Sequence, residues 1–278
     1  HYSINAQGYR SLYIYENKQD KYQVLIIGDS FTFGDELDDA DTWPNLLQEK
    51  SIQLNVLNMA GSGYGTDQML ITLEEEIEKY HPDLVLAAII DDNLIRATLP
   101  FRDYKKPLFV LDGKNLRLTN TPVGSPKSIL DHIAHKKYFS YGRIQIINML
   151  GYFWSDLTPM DSDGVCSEKC QILNMAILQK MQQVSSQAGS EFMLTYLPRG
   201  KEITEPSYVS AGEVFFKAYG ATMPGYFVDP RSSFLKASFD KAPEHYHKNE
   251  TLLLSGLVLE AIKGTASWQC EVEKNCAL

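Results

Sequence analysis

A continuous apolar run that stops at a glycine is the feature that most constrains how this chain folds. Residues Val24–Ile27 are all apolar, and Gly28, Asp29 and Ser30 follow at once. A short apolar segment of this kind is typical of a strand that is buried on both faces in a parallel sheet. Open α/β sheets bind ligands beyond the carboxyl ends of their strands, so we expect Ser30 in such a crevice. A serine there can be a nucleophile if other parts of the chain supply a base and oxyanion donors.

Further apolar segments alternate with a helical pattern over the first hundred residues. Leu54–Leu57 and Leu84–Ile90 predict a second and a third strand. The segment between them begins at a potential cap, Thr66 or Asp67, and continues with apolar residues at helical spacing. Strands that alternate with helices imply right-handed crossovers within one sheet. The predicted fold class is therefore α/β, with three α/β/α layers around a mostly parallel central sheet.

The regular alternation breaks after residue 100. We predict an insertion after the third strand, over about residues 100–165, that contains a hairpin around an Asp-Gly turn and a helical stretch over 126–150. Residues 1–20 are expected to form an N-terminal arm, and without a linker-like segment the whole of 1–278 is predicted to be a single domain. Later elements are expected at Glu168–Ala188 (helix), Phe192–Leu197 and Tyr226–Val228 (strands), and a final helix capped by Asn249 that ends near Lys263.

Charge and cysteine content narrow the possible partners and the compartment. The formal net charge of −9 disfavours nucleic acid or an anionic membrane as the main partner, because both reward clustered Lys and Arg. No apolar stretch approaches the roughly 20 residues of a membrane span. Two close cysteine pairs in polar surroundings favour disulfides and an extracytoplasmic location, periplasmic or secreted. Cys166 and Cys170 could bridge each other or reach the C-terminal pair, Cys270 and Cys276, and neither spacing is typical of zinc.

Three short segments together resemble the SGNH/GDSL hydrolase family. Ile27–Gly34, with the sequence Ile-Gly-Asp-Ser-Phe-Thr-Phe-Gly, resembles the extended first block. Asn58 and Gly63, five residues apart, resemble the second block, and Pro82–Val85 leading into a strand and a polar cluster resembles the third. The resemblance implies an SGNH-hydrolase (flavodoxin-like) fold. It also implies ester hydrolysis through an acyl-enzyme on Ser30, with no metal or organic cofactor.

The resemblance also implies three oxyanion donors. They are the Ser30 N–H, the Gly63 N–H and an asparagine side chain from the third block. Here Asp92 falls at the position of that asparagine, and Asn93 comes one residue later. A carboxylate would repel an oxyanion, so we predict that Asn93 supplies the donor. The alternatives are a protonated Asp92 or a missing donor.

The catalytic base is expected just before the final helix, where the family has an Asp-x-x-His motif. Glu244 and His247 reproduce the spacing, with Glu in place of Asp. His245 is the alternative base, and its acid would then be irregular, with Asp240 as a candidate. The pattern favours His247 slightly, with Glu244 orienting its imidazole.

These residues predict a serine ester hydrolase of SGNH/GDSL type. The expected partner is a small-molecule or carbohydrate ester, with an O-acetylated carbohydrate as the favoured substrate class. Two alternatives stay open. One is a polysaccharide O-acetyltransferase on the same fold, and the other is a non-catalytic binding module on a decayed hydrolase scaffold.

Overall fold

A five-stranded parallel sheet forms the centre of the computed structural model, which describes residues 2–12, 20–102, 104–124, 166–239 and 244–275. The strand order in this sheet is β2-β1-β3-β8-β9, and two separate two-stranded sheets pair β4 with β5 and β6 with β7. In chain order the strands are β1 (Tyr22–Gly28), β2 (Leu54–Asn58), β3 (Leu84–Ile89), β4 (Phe101–Arg102), β5 (Tyr104–Lys105), β6 (Leu108–Asp112), β7 (Asn115–Thr119), β8 (Glu191–Tyr196) and β9 (Phe227–Val228).

Helices cover both faces of the central sheet. Successive residues of β1 explain why, since side chains alternate between the faces of a strand. Leu25 and Ile27 belong to one buried cluster, and Val24 and Ile26 belong to another. The helices are α1 (Ser30–Phe33), α2 (Trp43–Lys50), α3 (Thr66–Tyr80), α4 (Asp92–Arg96), α5 (Glu168–Gln187), α6 (Lys201–Thr204), α7 (Ala211–Gly220), α8 (Arg231–Ala237), α9 (Lys248–Lys263) and α10 (Ala266–Glu271).

The strand order places a ligand crevice next to β1. The chain runs from β1 to β2 on one side and then crosses to β3 on the other side of β1. This reversal is the topological switch point at which doubly wound sheets of the 2-1-3 type bind their ligands. The loops that follow β1, β2 and β3 therefore converge beside the carboxyl end of β1.

The predicted fold class, the five strands of the central sheet and the hairpin of the insertion are confirmed, with boundary differences of one or two residues. The final helix begins two residues earlier than expected, because His247 rather than Asn249 is its N-cap. The N-cap of α3 is Gly65 rather than Thr66 or Asp67. The helical stretch predicted over 126–150 lies outside the described residues. Nothing in the fold tests the assignment of 1–278 to a single domain, which stays a prediction.

A disulfide and a buried ion pair stabilise two parts of the chain outside the central sheet. Cys166 and Cys170 form a disulfide at the start of α5, one of the two pairings that the sequence left open, and Cys270 is disulfide-bonded as well. In the N-terminal arm, the Arg10 guanidinium donates to Asp39 Oδ1 at 2.8 Å, and both side chains are buried. Within the described segments, no helix combines the length and the apolar character that crossing a bilayer requires.

Candidate active site

Ser30 lies on a tight turn between β1 and α1. Asp29 caps this short helix, because its Oδ1 accepts from the Phe31 N–H at 3.1 Å. The Gly34 N–H donates to Ser30 O at 2.8 Å and closes the turn. Gly28 is required by close packing, since a Cβ there would lie 2.5 Å from an oxygen of the next turn, Thr32 Oγ1. The result is a largely buried serine held by its own backbone at the carboxyl end of the strand.

His245 is the histidine that contacts Ser30. Its Nε2 lies 3.0 Å from Ser30 Oγ, although 215 positions separate the two residues in the chain. The imidazole packs against Phe31 with ring centroids 5.1 Å apart, and Phe31 also contacts Tyr246 edge to face. Tyr246 is buried and donates from its hydroxyl to Pro198 O at 2.6 Å. The neighbour of His245 thus anchors the imidazole beside the serine.

A carboxylate faces the other nitrogen of the His245 ring. Glu36 Oε1 lies 3.3 Å from His245 Nδ1, and the side chains are 58% and 19% exposed, respectively. This contact favours the tautomer that carries its proton on Nδ1 and leaves Nε2 free to accept from Ser30. The backbone of Glu36 has φ 67°, a left-handed conformation that costs a non-glycine residue about 1 kcal/mol or more. Such strain is often found where a side chain has a functional position.

Among the described residues, the other two predicted members of the catalytic group make no hydrogen bond to the Ser30 hydroxyl. His247 is exposed and caps α9, where its backbone N–H donates to Glu250 Oε2 at 3.1 Å. Glu244 is exposed, and among the described residues its carboxylate contacts neither histidine. The geometry therefore favours His245 over His247, and Glu36 over Glu244. The alternative acid for His245, Asp240, lies outside the described residues.

Two backbone N–H groups beside Ser30 are available to an oxyanion. Among the described residues, neither the Ser30 N–H nor the Gly63 N–H donates to a protein acceptor. The loop that contains Gly63 is tied to the serine turn, because the Gly61 N–H donates to Gly28 O at 3.1 Å and Ser62 Oγ donates to Asp35 Oδ2 at 2.5 Å. Gly63 has φ 78°, which a glycine adopts without strain.

Asn93 supports the site but has no amide hydrogen left for an oxyanion. Its Nδ2 donates to Asp29 Oδ2 at 3.0 Å and to Tyr64 O at 2.7 Å, and its Oδ1 accepts from the Ile90 N–H. The prediction that Asn93 is the third oxyanion donor is therefore not supported by its hydrogen bonds.

Burial raises the pKa of Asp29, and the Arg96 guanidinium, 2.8 Å away, opposes that rise.

Asp92 occupies the position of the missing asparagine and is engaged by two arginines. Its carboxylate accepts from Arg199 Nη2 at 2.5 Å and from Arg96 Nη2 at 3.4 Å. Arg199 also donates from Nε to Asp91 Oδ1 at 2.7 Å. The aspartates raise the pKa of Arg199 although its burial acts in the opposite direction. At the position of the expected asparagine, the chain thus has a carboxylate in a partly exposed network of paired charges.

Comparisons with solved structures show which known proteins have a similar fold. A lipolytic protein of the G-D-S-L family from Desulfitobacterium hafniense DCB-2 matches 87% of this chain and 99% of its own, with 12% identity and a TM-score of 0.50. A catalytic mutant of Axe2, an acetylxylan esterase from Geobacillus stearothermophilus, matches 89% of this chain and 96% of its own, with 14% identity and a TM-score of 0.50. The chain has the SGNH-hydrolase fold. No family model matches it, and neither does any curated protein in sequence.

Within the SGNH-hydrolase fold, Glu36 is the site residue that sequence reasoning missed. It belongs to an acidic stretch over residues 35–41 that begins five residues after Ser30. This short separation from Ser30 could have identified Glu36 as a candidate acid, because a carboxylate close in sequence to the nucleophile can contact the histidine that serves as the base. The family pattern instead directed attention to carboxylates next to the histidines.

Proposed function

We propose that this protein is a serine ester hydrolase that works through an acyl-enzyme on Ser30. The observation that carries the proposal is the 3.0 Å contact between Ser30 Oγ and His245 Nε2. A serine hydroxyl is a weak nucleophile until an adjacent base accepts its proton, and this distance is within hydrogen-bonding reach. The SGNH-hydrolase fold supports the same chemistry, as do the N–H groups of Ser30 and Gly63, which have no acceptor in the part of the chain that the structure describes.

The reaction proceeds in two steps, acylation of Ser30 and hydrolysis of the acyl-enzyme. Ser30 Oγ attacks the acyl carbonyl while its proton passes to His245 Nε2, and the tetrahedral oxyanion binds the Ser30 and Gly63 N–H groups. Collapse of this intermediate breaks the ester C–O bond, and His245 returns the proton to the leaving alcohol. Water then attacks the acyl-enzyme and gives a proton to His245 Nε2. The ester bond to Ser30 breaks, the carboxylic acid is released, and His245 returns the proton to Ser30 Oγ. Glu36 stabilises the imidazolium that forms in each step.

An O-acetylated carbohydrate is the substrate class that we favour. The structural neighbour Axe2 is an acetylxylan esterase, which makes a short acyl group on a sugar the most direct hypothesis. Hydrolysis rather than transfer to a sugar acceptor is the reaction that we propose, because the structural neighbour Axe2 is described as an esterase. A binding module without catalysis is disfavoured by the serine–histidine contact itself. We also propose an oxidising compartment, periplasmic or extracellular, which the Cys166–Cys170 disulfide supports.

Hydrolysis of p-nitrophenyl acetate by the wild type and by Ser30→Ala tests the proposal. We expect release of p-nitrophenolate with the wild type and only the background rate with the variant. Mass spectrometry of rapidly quenched wild-type protein should show an added acetyl group on the peptide that contains Ser30. Product analysis with an acetylated xylo-oligosaccharide, with and without a sugar acceptor, separates hydrolysis from transfer. Equal rates for the wild type and Ser30→Ala would reject the assignment.

A further inference from the structure

We propose that the Arg102 guanidinium is the third oxyanion donor of this site, in place of the asparagine that the fold family would supply. The inference rests on the proposed function, because it assigns a group to the same tetrahedral intermediate. In the described part of the chain, the asparagine side chain that would be the third oxyanion donor is missing from this site. Asp92 brings a negative charge to the expected position, and both amide hydrogens of Asn93 are already used. An oxyanion at Ser30 therefore needs a donor from another element.

Arg102 lies against the backbone glycine that would bind the oxyanion. The three atoms nearest to the position of a Cβ on Gly63 all belong to the Arg102 guanidinium. That position is two bonds from the Gly63 amide nitrogen, so the guanidinium is close to any anion that the Gly63 N–H holds. A guanidinium has five N–H donors and a permanent positive charge, and both stabilise developing negative charge on oxygen.

The charges around Ser30 explain why a cation is needed there. Asp29 and Asp92 are paired with Arg96 and Arg199, so those two arginines already serve carboxylates. Glu36 adds a further negative charge at His245. A neutral amide donor would leave the oxyanion among these acidic groups, whereas a guanidinium at Gly63 offsets part of their repulsion.

A buried ion pair fixes the short hairpin that carries Arg102. Lys106 follows this β4–β5 hairpin, and its ammonium is paired with Asp67 in the first turn of α3, with both side chains almost fully buried. Asn120 further ties this segment by donating from Nδ2 to Pro100 O at 3.0 Å. The same helix begins directly after the loop of Gly63. The hairpin and the oxyanion loop are thus both attached to the first turn of α3, which sets Arg102 beside Gly63.

Substitution of Arg102 tests this assignment with a neutral short-chain aryl ester. Arg102→Met should lower kcat by about 100-fold, the lower end of the range for loss of one oxyanion donor, with KM nearly unchanged. Arg102→Lys keeps the charge and should recover much of the rate. For Arg102→Ala, added guanidinium ion at millimolar concentration should restore part of the activity. The inhibition constant of a boronic acid, which forms a tetrahedral adduct on serine, should rise by the same factor as kcat/KM falls.

Matched controls separate this role from others. Arg117 lies on the other hairpin with a 62% exposed side chain, so Arg117→Met should leave kcat unchanged. The inference is overturned if Arg102→Met keeps full activity. It is also overturned if that variant raises KM only for esters that bear a carboxylate, or loses activity only in proportion to a loss of folded protein measured by circular dichroism. If Ser30→Ala is as active as the wild type, the proposed function fails first. If Ser30→Ala is inactive and Arg102→Met is not impaired, only the present inference fails.

Discussion

Replacing Glu36 by glutamine isolates the electrostatic contribution of the acid that faces His245. Glutamine keeps an oxygen that can accept from His245 Nδ1, so the substitution removes the charge and little else. The separation is 3.3 Å, which corresponds to about 1 kcal/mol between unit charges in bulk water and about 5 kcal/mol at an effective dielectric constant of 20. Glu36 is 58% exposed, so the value near the aqueous limit applies, about 1–2 kcal/mol.

This energy sets the expected kinetic effect. The carboxylate stabilises the imidazolium, which is absent when substrate binds and forms as the tetrahedral intermediate is made, so Glu36→Gln should lower kcat by about 5- to 30-fold and leave KM unchanged. Salt at about 1 M shortens the screening length to about 3 Å, so the gap between wild type and variant should narrow there. The assay is the initial rate of p-nitrophenyl acetate hydrolysis at low and high ionic strength.

Glu244→Gln is the matched control for this prediction. Glu244 is adjacent to His245 in the chain but, among the described residues, makes no contact with its ring, so the control should retain the wild-type rate. The reasoning is refuted if Glu244→Gln loses as much activity as Glu36→Gln. A buried catalytic acid contributes about 10⁴-fold to kcat. If Glu36→Gln lost more than about 1,000-fold, roughly a tenth of that figure, the result would contradict the exposed position of Glu36.

Three further substitutions test other parts of the folded structure. Lys106→Met should lower the free energy of unfolding by about 3–5 kcal/mol, because it leaves the Asp67 carboxylate buried without a partner, and urea denaturation should show recovery when Asp67→Leu is added. Burial and Glu271 raise the pKa of Asp83 from 3.8 to about 6. The folded protein therefore binds this proton more tightly than the unfolded chain, and stability present below about pH 4 is lost as the pH rises to about 6. Asp83→Asn should thus raise the melting temperature at pH 7 but not at pH 4, and equal shifts at both would contradict the assignment. Glu36→Gly removes a strained left-handed residue and should raise the unfolding free energy by up to about 1 kcal/mol while kcat falls, and a loss of both would argue against strain at this position.

The central sheet was predictable because its strands follow a simple physical rule. A strand buried on both faces is apolar throughout, and Val24–Ile27, Leu84–Ile89 and Phe192–Tyr196 obey this rule without long polar interruptions. The position of Ser30 followed directly, because a glycine and an acidic cap mark the end of the first of these strands. Local signals were sufficient for these strands and for the serine turn, but they did not give the correct N-caps of α3 and α9.

The partners of Ser30 were harder to predict because they depend on contacts between distant segments. His245 and His247 are two residues apart, and which of them reaches the serine depends on the packing of Phe31 against Tyr246, which no local pattern encodes. The assignment of Asn93 stays a prediction that its hydrogen bonds do not favour, since its amide hydrogens are used by Asp29 and by the loop of the second block. Motif spacing placed these residues near the site but did not determine their hydrogen bonds.

The rate of p-nitrophenolate release by His245→Asn and His247→Asn tests most directly whether the imidazole of His245 is the base for Ser30. Asparagine is a favourable N-cap, so His247→Asn should keep α9 intact and retain activity within about threefold. His245→Asn should lose at least about 10⁴-fold in kcat, and up to about 10⁶-fold, the loss expected for removal of a catalytic base. The opposite result, with His247→Asn inactive and His245→Asn near the wild-type rate, would contradict the account.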